Sequence, residues 1–164
     1  MAISANLERL GYGSPSGCIA TGQHRPVIQS VGATRTLLAE ESGALCLFDR
    51  AAGVVYTLPT PVEGMQFSFM ATVAVTTNAY KTITGTPASQ FLIGKVLIGD
   101  TTVAQSGDVF LADGTTIVAI SEDGATKGGL VGSEYTLTAI SATQWAITGV
   151  PHGAGTLATP FATS

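Results

Sequence analysis

The chain is short of charge. Asp, Glu, Lys and Arg make up 11% of its 164 residues, less than half of the ~25% usual in a soluble domain. Only seven are basic, and they are scattered: Arg9, Arg25, Arg35, Arg50, Lys81, Lys95 and Lys127. No basic stripe is available to neutralise a run of phosphates, so nucleic-acid binding is not expected. The net charge of −4 favours solubility and names no partner. Cysteine is scarce too. Cys18 and Cys46 form no CxxC and no metal spacing. Cys46, inside LCLF, reads as a small buried hydrophobe. Cys18 lies in a Gly/Ser/Pro-rich stretch, and a disulfide between the two is the less economical reading. Long apolar runs are missing. No segment approaches the ~18 residues of a membrane helix, and MAISANLERLGYGSPSG lacks the apolar region and cleavage site of a secretory signal. A protein kept in the cytoplasm, or packed into something assembled there, is expected, with no membrane partner.

Glycine and hydrophobic residues are plentiful instead. There are 20 glycines, and 45% of the chain is hydrophobic, enough for one domain with a core, or one domain plus an arm. A neutral, hydroxyl-rich surface suits a protein covered by partners. It equally suits a β protein solvated by hydroxyls.

Residues 1–33 carry five glycines and two prolines from Gly11 on and show no sustained period. They read as an extended N-terminal arm in which Ala5–Leu10 is long enough for one helical turn. The arm holds Ile3, Leu7, Leu10, Tyr12, Ile19, Val27 and Ile28, more apolar residues than a solvated tail needs. These seven are the candidate contacts to a neighbouring protein.

Residues 34–164 form the expected β domain. TRTLLA, ALCLFD and VVYTL read as strands separated by EESG and RAAG turns. In VVYTL the pleat sets Val54, Tyr56 and Leu58 on one face and Val55 and Thr57 on the other. Pro59 ends that ladder. MQFSFMATVAV alternates with Met65, Phe67 and Phe69 facing inward. KTITG is a short strand. Residues 85–107 read as a long connection with a short strand at Val96–Ile98. DVFLADGTTIVAIS reads as a hairpin about Asp113-Gly114, and EYTLTAI pairs with QWAITGV. Roughly nine or ten short strands at this spacing predict an all-β fold: an antiparallel sandwich, jelly-roll-like, or a barrel.

Residues with chemistry are few. His24 and His152 sit in no metal-ligand spacing and read as surface or interface residues. Asp100, Asp108, Asp113, Glu122 and Asp123 form no calcium-loop pattern. Asp113 and Asp123 each precede glycine, so turn duty accounts for them better. Lys127–Gly129 lacks the order of a phosphate loop, and no GxSxG occurs. Trp145 reads as a core or interface anchor, with a sugar-stacking platform as the lesser reading. An enzyme is not expected, and neither is a cofactor or a small-molecule substrate.

The order of the motifs says more. T-R-T-L-x-A-E-x-S-G, an apolar strand ending F-D-x-A-x-G, and V-x-Y-T-L-P-x-P-x-x-G-x-x-F-x-F run from Thr34 to Phe69. FLADGTT at Phe110–Thr116, TKGGLVG at Thr126–Gly132, WAITGV at Trp145–Val150 and GTLATPF at Gly155–Phe161 follow. This series resembles tailed-bacteriophage virion proteins, most closely head decoration (capsid cement) proteins. The resemblance implies a homotrimer on the outer capsid surface that clamps neighbouring major capsid subunits. A tail-fibre or tail-tip module binding a host-surface glycan is the alternative. A carbohydrate module outside any virion and a minor head protein are further ones.

Overall fold

The computed structural model describes residues 24–104 and 106–164. Its strands are β1 (Val27–Ile28), β2 (Thr34–Thr36), β3 (Leu45–Phe48), β4 (Val54–Thr57), β5 (Gln66–Ala71), β6 (Tyr80–Ile83) and β7 (Phe91–Asp100). They continue with β8 (Gly107–Asp113), β9 (Ala119–Glu122), β10 (Glu134–Ala139), β11 (Gln144–Val150), β12 (His152–Gly153) and β13 (Phe161–Ala162). One 3-10 turn, Ala39–Glu41, is the only helical element among the described residues. Two sheets pack face to face. The larger runs β1-β3-β5-β10-β11-β7-β12 with β8 added on β7, and the smaller runs β13-β9-β6-β4-β2. Neither order closes on itself, so the all-β sandwich expectation holds and the barrel does not.

The pairing is mixed rather than antiparallel throughout. From β1 to β6 the chain changes sheet at every connection. The EESG, RAAG and LPTP breaks therefore carry it between layers, where hairpins within one sheet would have been the simplest reading. Strands two apart in sequence become parallel neighbours: β1, β3 and β5 in the large sheet, β2, β4 and β6 in the small one. Each intervening strand serves as the crossover that parallel pairing requires, a role a helix usually fills. Gly43, Gly53 and Gly64, at φ of 94°, 89° and 88°, make these reversals in a backbone region that disfavours side chains.

The inward faces follow the alternation in sequence. Val54, Tyr56, Leu58, Phe67, Phe69 and Ala71 are buried. Phe48 stacks on Tyr80 at 4.5 Å and packs at 5.4, 5.8 and 6.3 Å from Tyr56, Phe69 and Tyr135. The tyrosines bring their hydroxyls in with partners. Tyr56 donates to the Leu47 carbonyl and Tyr80 to the Val73 carbonyl, each at 2.9 Å, while Tyr135 and Thr82 share a bond of 2.8 Å.

Four expectations need correction. Residues 91–100, placed in a long connection, form the ten-residue strand β7. The Asp113-Gly114 turn does not close a hairpin: β8 pairs with β7, and β9 lies in the other sheet between β6 and β13. The strand at MQFSFMATVAV ends at Ala71. The arm boundary at residue 33 also shifts, because Val27 and Ile28 pair with Leu45 and Cys46 as part of the large sheet. The final hairpin forms as expected, with Glu134–Ala139 registered against Val150–Trp145.

Phe67 is fully buried on β5 and faces Trp145 at 6.0 Å. Phe67→Ala should destabilise the domain by about 3–5 kcal/mol. Urea unfolding measures this, and an unchanged midpoint would contradict the burial of this face.

Candidate functional site

The polar residues considered for chemistry mostly hold turns. The Asp113 carboxylate accepts the Thr116 hydroxyl and the amides of Thr115, Thr116 and Ile117, bonds that keep its pKa well below the usual carboxylate range. Asp123 accepts from Ala125 and Lys127, both at 2.9 Å, and Asp100 from Thr102 at 2.7 Å. No group of three His, Cys, Asp or Glu side chains gathers among the described residues. His24 is exposed, and the half-buried His152 sets Nδ1 3.3 Å from the Val131 carbonyl. Cys46 is buried, and burial pushes its thiol up to about 12. Trp145 is fully buried, so it is a core residue with no ring face to offer a saccharide.

Sequence reasoning weighed Glu122 only as a calcium ligand and missed its burial. Its carboxyl is fully buried beneath the glycine-rich loop that follows β9, and neither oxygen has a hydrogen-bond partner. The loop's glycines make room for it. A Cβ on Gly128 would lie 2.9 Å from Glu122 Oε1, and the nearby Gly129 amide donates to Ser133 Oγ instead. Burial raises the Glu122 carboxyl to about 8, and Asp123 adds to the rise. The strand pattern could have found it: Ile120 and Glu122 are two apart on β9 and share the inward face.

The larger sheet presents a broad outer face. Register sets Gln66, Thr138, Ala146, Ile93 and Asp113 in one row. A second row holds Val27, Leu45, Ser68, Thr136, Thr148, Lys95 and Leu111. Glu134 pairs with Met70 and Val150 beside them, and Leu97 with Val109. Three of these residues are charged. Hydroxyls bond across the strands at the centre, Ser68 to Thr136 at 2.9 Å. Aliphatic side chains stand clear on β7 and β8, with Leu111 72% exposed and Val109 57%. Two depressions of about 440 and 600 Å³ lie on this face.

Of the seven arm residues singled out as contacts, Val27 is exposed at the edge of this face. Ile28 is buried in the chain's own core, so it is a packing residue and no contact. Ile3, Leu7, Leu10, Tyr12 and Ile19 lie outside the described residues, as does Cys18. Comparison of the chain with protein-family models, with curated proteins and with solved structures found no match.

The pH response of Glu122 follows from its surroundings. The unfolded carboxyl loses its proton near 4.5 and the folded one near 8. Between those values the unfolded state holds fewer protons, so rising pH favours unfolding. The urea midpoint should fall from about pH 5 to about pH 8, and Glu122→Gln should flatten that slope. A wild-type midpoint that holds level or rises across the window would show that the carboxyl is ionised in the fold.

Proposed function

We propose that this chain is a structural virion protein of a tailed bacteriophage, a decoration protein that clamps neighbouring major capsid subunits from outside the head. The outer face of the large sheet carries this reading. It crosses seven hydrogen-bonded strands, β1 to β8 by way of β7, and is nearly free of charge. Six strand spacings and three rows of side chains amount to roughly 600 Å² of flat area, comparable with the ~800 Å² that each partner contributes to a standard interface. Depletion of charge is what interface centres share. The ordered motifs from Thr34 to Phe161 point the same way by resemblance.

The physics of the role is mass action. A clip that binds the assembled lattice better than loose subunits stabilises the lattice by its binding free energy. Threefold display of one weak contact multiplies affinity without strengthening any single contact. The proposed partners are the major capsid protein and two further copies of this chain. Nothing specific in the fold favours the tail-module alternative, because Trp145, its stacking residue, is buried.

The test uses phage heads stripped of this protein. Purified chain should behave as a trimer by light scattering, bind heads in lattice-scale numbers and raise their melting temperature. Failure to bind would overturn the capsid reading. Deleting residues 2–23, which leaves β1 and the Arg25 contacts in place, should abolish head binding while far-UV circular dichroism still shows a folded sandwich. Normal binding by that variant would remove the arm from the interface.

A further inference from the structure

We propose that Glu122 latches a lid: residues 123–129 open locally when its carboxyl gives up its proton, and the opening frees the segment 154–158 that is tied to them. The carboxyl is fully buried, and neither oxygen has a hydrogen-bond partner. Its cover is backbone. Gly128 and Gly129 both take φ of 92° and close on the side chain at contact distance. A Cβ on Gly128 would lie 2.8 Å from Pro151 Cβ and 2.9 Å from Glu122 Oε1, and one on Gly129 would lie 3.1 Å from Glu122 Cβ. An unpartnered carboxyl in such a place is kept neutral, because the charged form demands water or donors.

The other walls are fixed. Glu122 lies opposite Tyr80 on β6, and β9 is held between β6 and β13. Tyr80 and Tyr135 are buried, with their hydroxyls bonded to the Val73 carbonyl and to Thr82. The lid is held by a few backbone bonds. The Gly124 amide donates to the Gly128 carbonyl at 2.8 Å, and the Val75 amide to the Gly129 carbonyl at 3.1 Å. Ala154 and Ala158 donate to the carbonyls of Ala125 and Thr126, each at 3.0 Å. Lifting two glycines uncovers little apolar surface, so the lid is the least costly route by which water reaches the carboxyl.

The groups around the carboxyl would not hold it as an anion. Asp123 follows it in the chain, Tyr80 lies opposite on β6 and Tyr135 stands on β10. None of the three can be a cation, and burial pushes both tyrosines upward, so they stay neutral. Lys127 of the lid is exposed, and His152, beyond Pro151, turns Nδ1 toward the Val131 carbonyl. With the lid open the Glu122 carboxyl meets water and titrates near 4.5, and with it closed at about 8. Between those values the open state holds fewer protons, so opening grows about tenfold per pH unit. The device belongs to the free chain, whether or not that chain decorates a capsid.

Native-state hydrogen exchange followed by NMR tests the latch, with each rate divided by that of the same amide in an unstructured peptide. The reporters are the amides of Val75, Gly124, Ala154 and Ala158, which all donate to carbonyls of the lid. From about pH 5 to about pH 8 their protection should fall about tenfold per unit. Urea below the unfolding transition should leave it unchanged, the mark of a local opening. Amides of the β10–β11 hairpin should keep higher protection and lose it as urea is added. Glu122→Gln and Glu122→Leu carry no titrating carboxyl, and in either the reporters' protection should stay level with pH. Reporters that respond to urea as the hairpin does would overturn the latch, because they would then exchange only by global unfolding. So would level wild-type protection across the pH range, or a fall that persists in a folded variant. The wild-type data decide by themselves where a variant does not fold.

Discussion

The fold depends on how one ring, Phe48, is shared between the sheets. It extends from β3 in the large sheet and packs against Tyr56 and Tyr80 of the small sheet, and against Phe69 and Tyr135 of its own. Each such pair is worth about 0.5–1.5 kcal/mol beyond the area it buries. The larger effect is geometric. The rings fix the distance between the layers, and the tyrosine hydroxyls tie them to the Leu47 and Val73 carbonyls and to Thr82. From β1 to β6 the chain changes layers at each turn and no hairpin holds consecutive strands together, so this half of the sandwich needs such a filler.

Placing the rings between the sheets leaves the other face of the large sheet nothing to cover it within the described residues. Most of its side chains are small, hydroxyl-bearing or aliphatic, and three are charged. Hydroxyl pairs such as Ser68–Thr136 satisfy one another across strands, which lowers the cost of excluding water from the face. A strongly charged surface would resist being covered, and this one does not. The same composition that made the chain look poor in chemistry makes the face suited to contact.

Much of the architecture was readable where one face of a strand is apolar and the other polar. Phe67 and Phe69 alternate with Gln66 and Ser68, and the buried set of β5 follows directly. β7 hid because both of its faces are apolar. Leu92, Val96 and Ile98 point inward while Ile93 and Leu97 point outward, so the period of two vanishes. The outward set is part of the candidate surface, so the feature that defines the site erased the signal for the strand. The turn at Asp113 misled for another reason. Asp-Gly marks a reversal, but the carboxylate's bonds to the amides of Thr115, Thr116 and Ile117 turn the chain toward the other sheet. Turn residues say where a chain bends and leave open which layer it enters. Glu122 was overlooked because SEDG resembles a loop, and only the pleat places its carboxyl indoors.

The winding of the chain also sets the order in which its edges are satisfied during synthesis. β3 and β5 can pair as soon as both have left the ribosome, but the far edge of β5 is completed by β10, where Leu137 meets Phe67. Until residue 138 has emerged, a nascent chain carries β5 with one open edge bearing two phenylalanines. Such edges invite pairing with a neighbouring chain. The exposed interval of the chain's life falls between the translation of residues 71 and 138, and the finished sandwich keeps no trace of it.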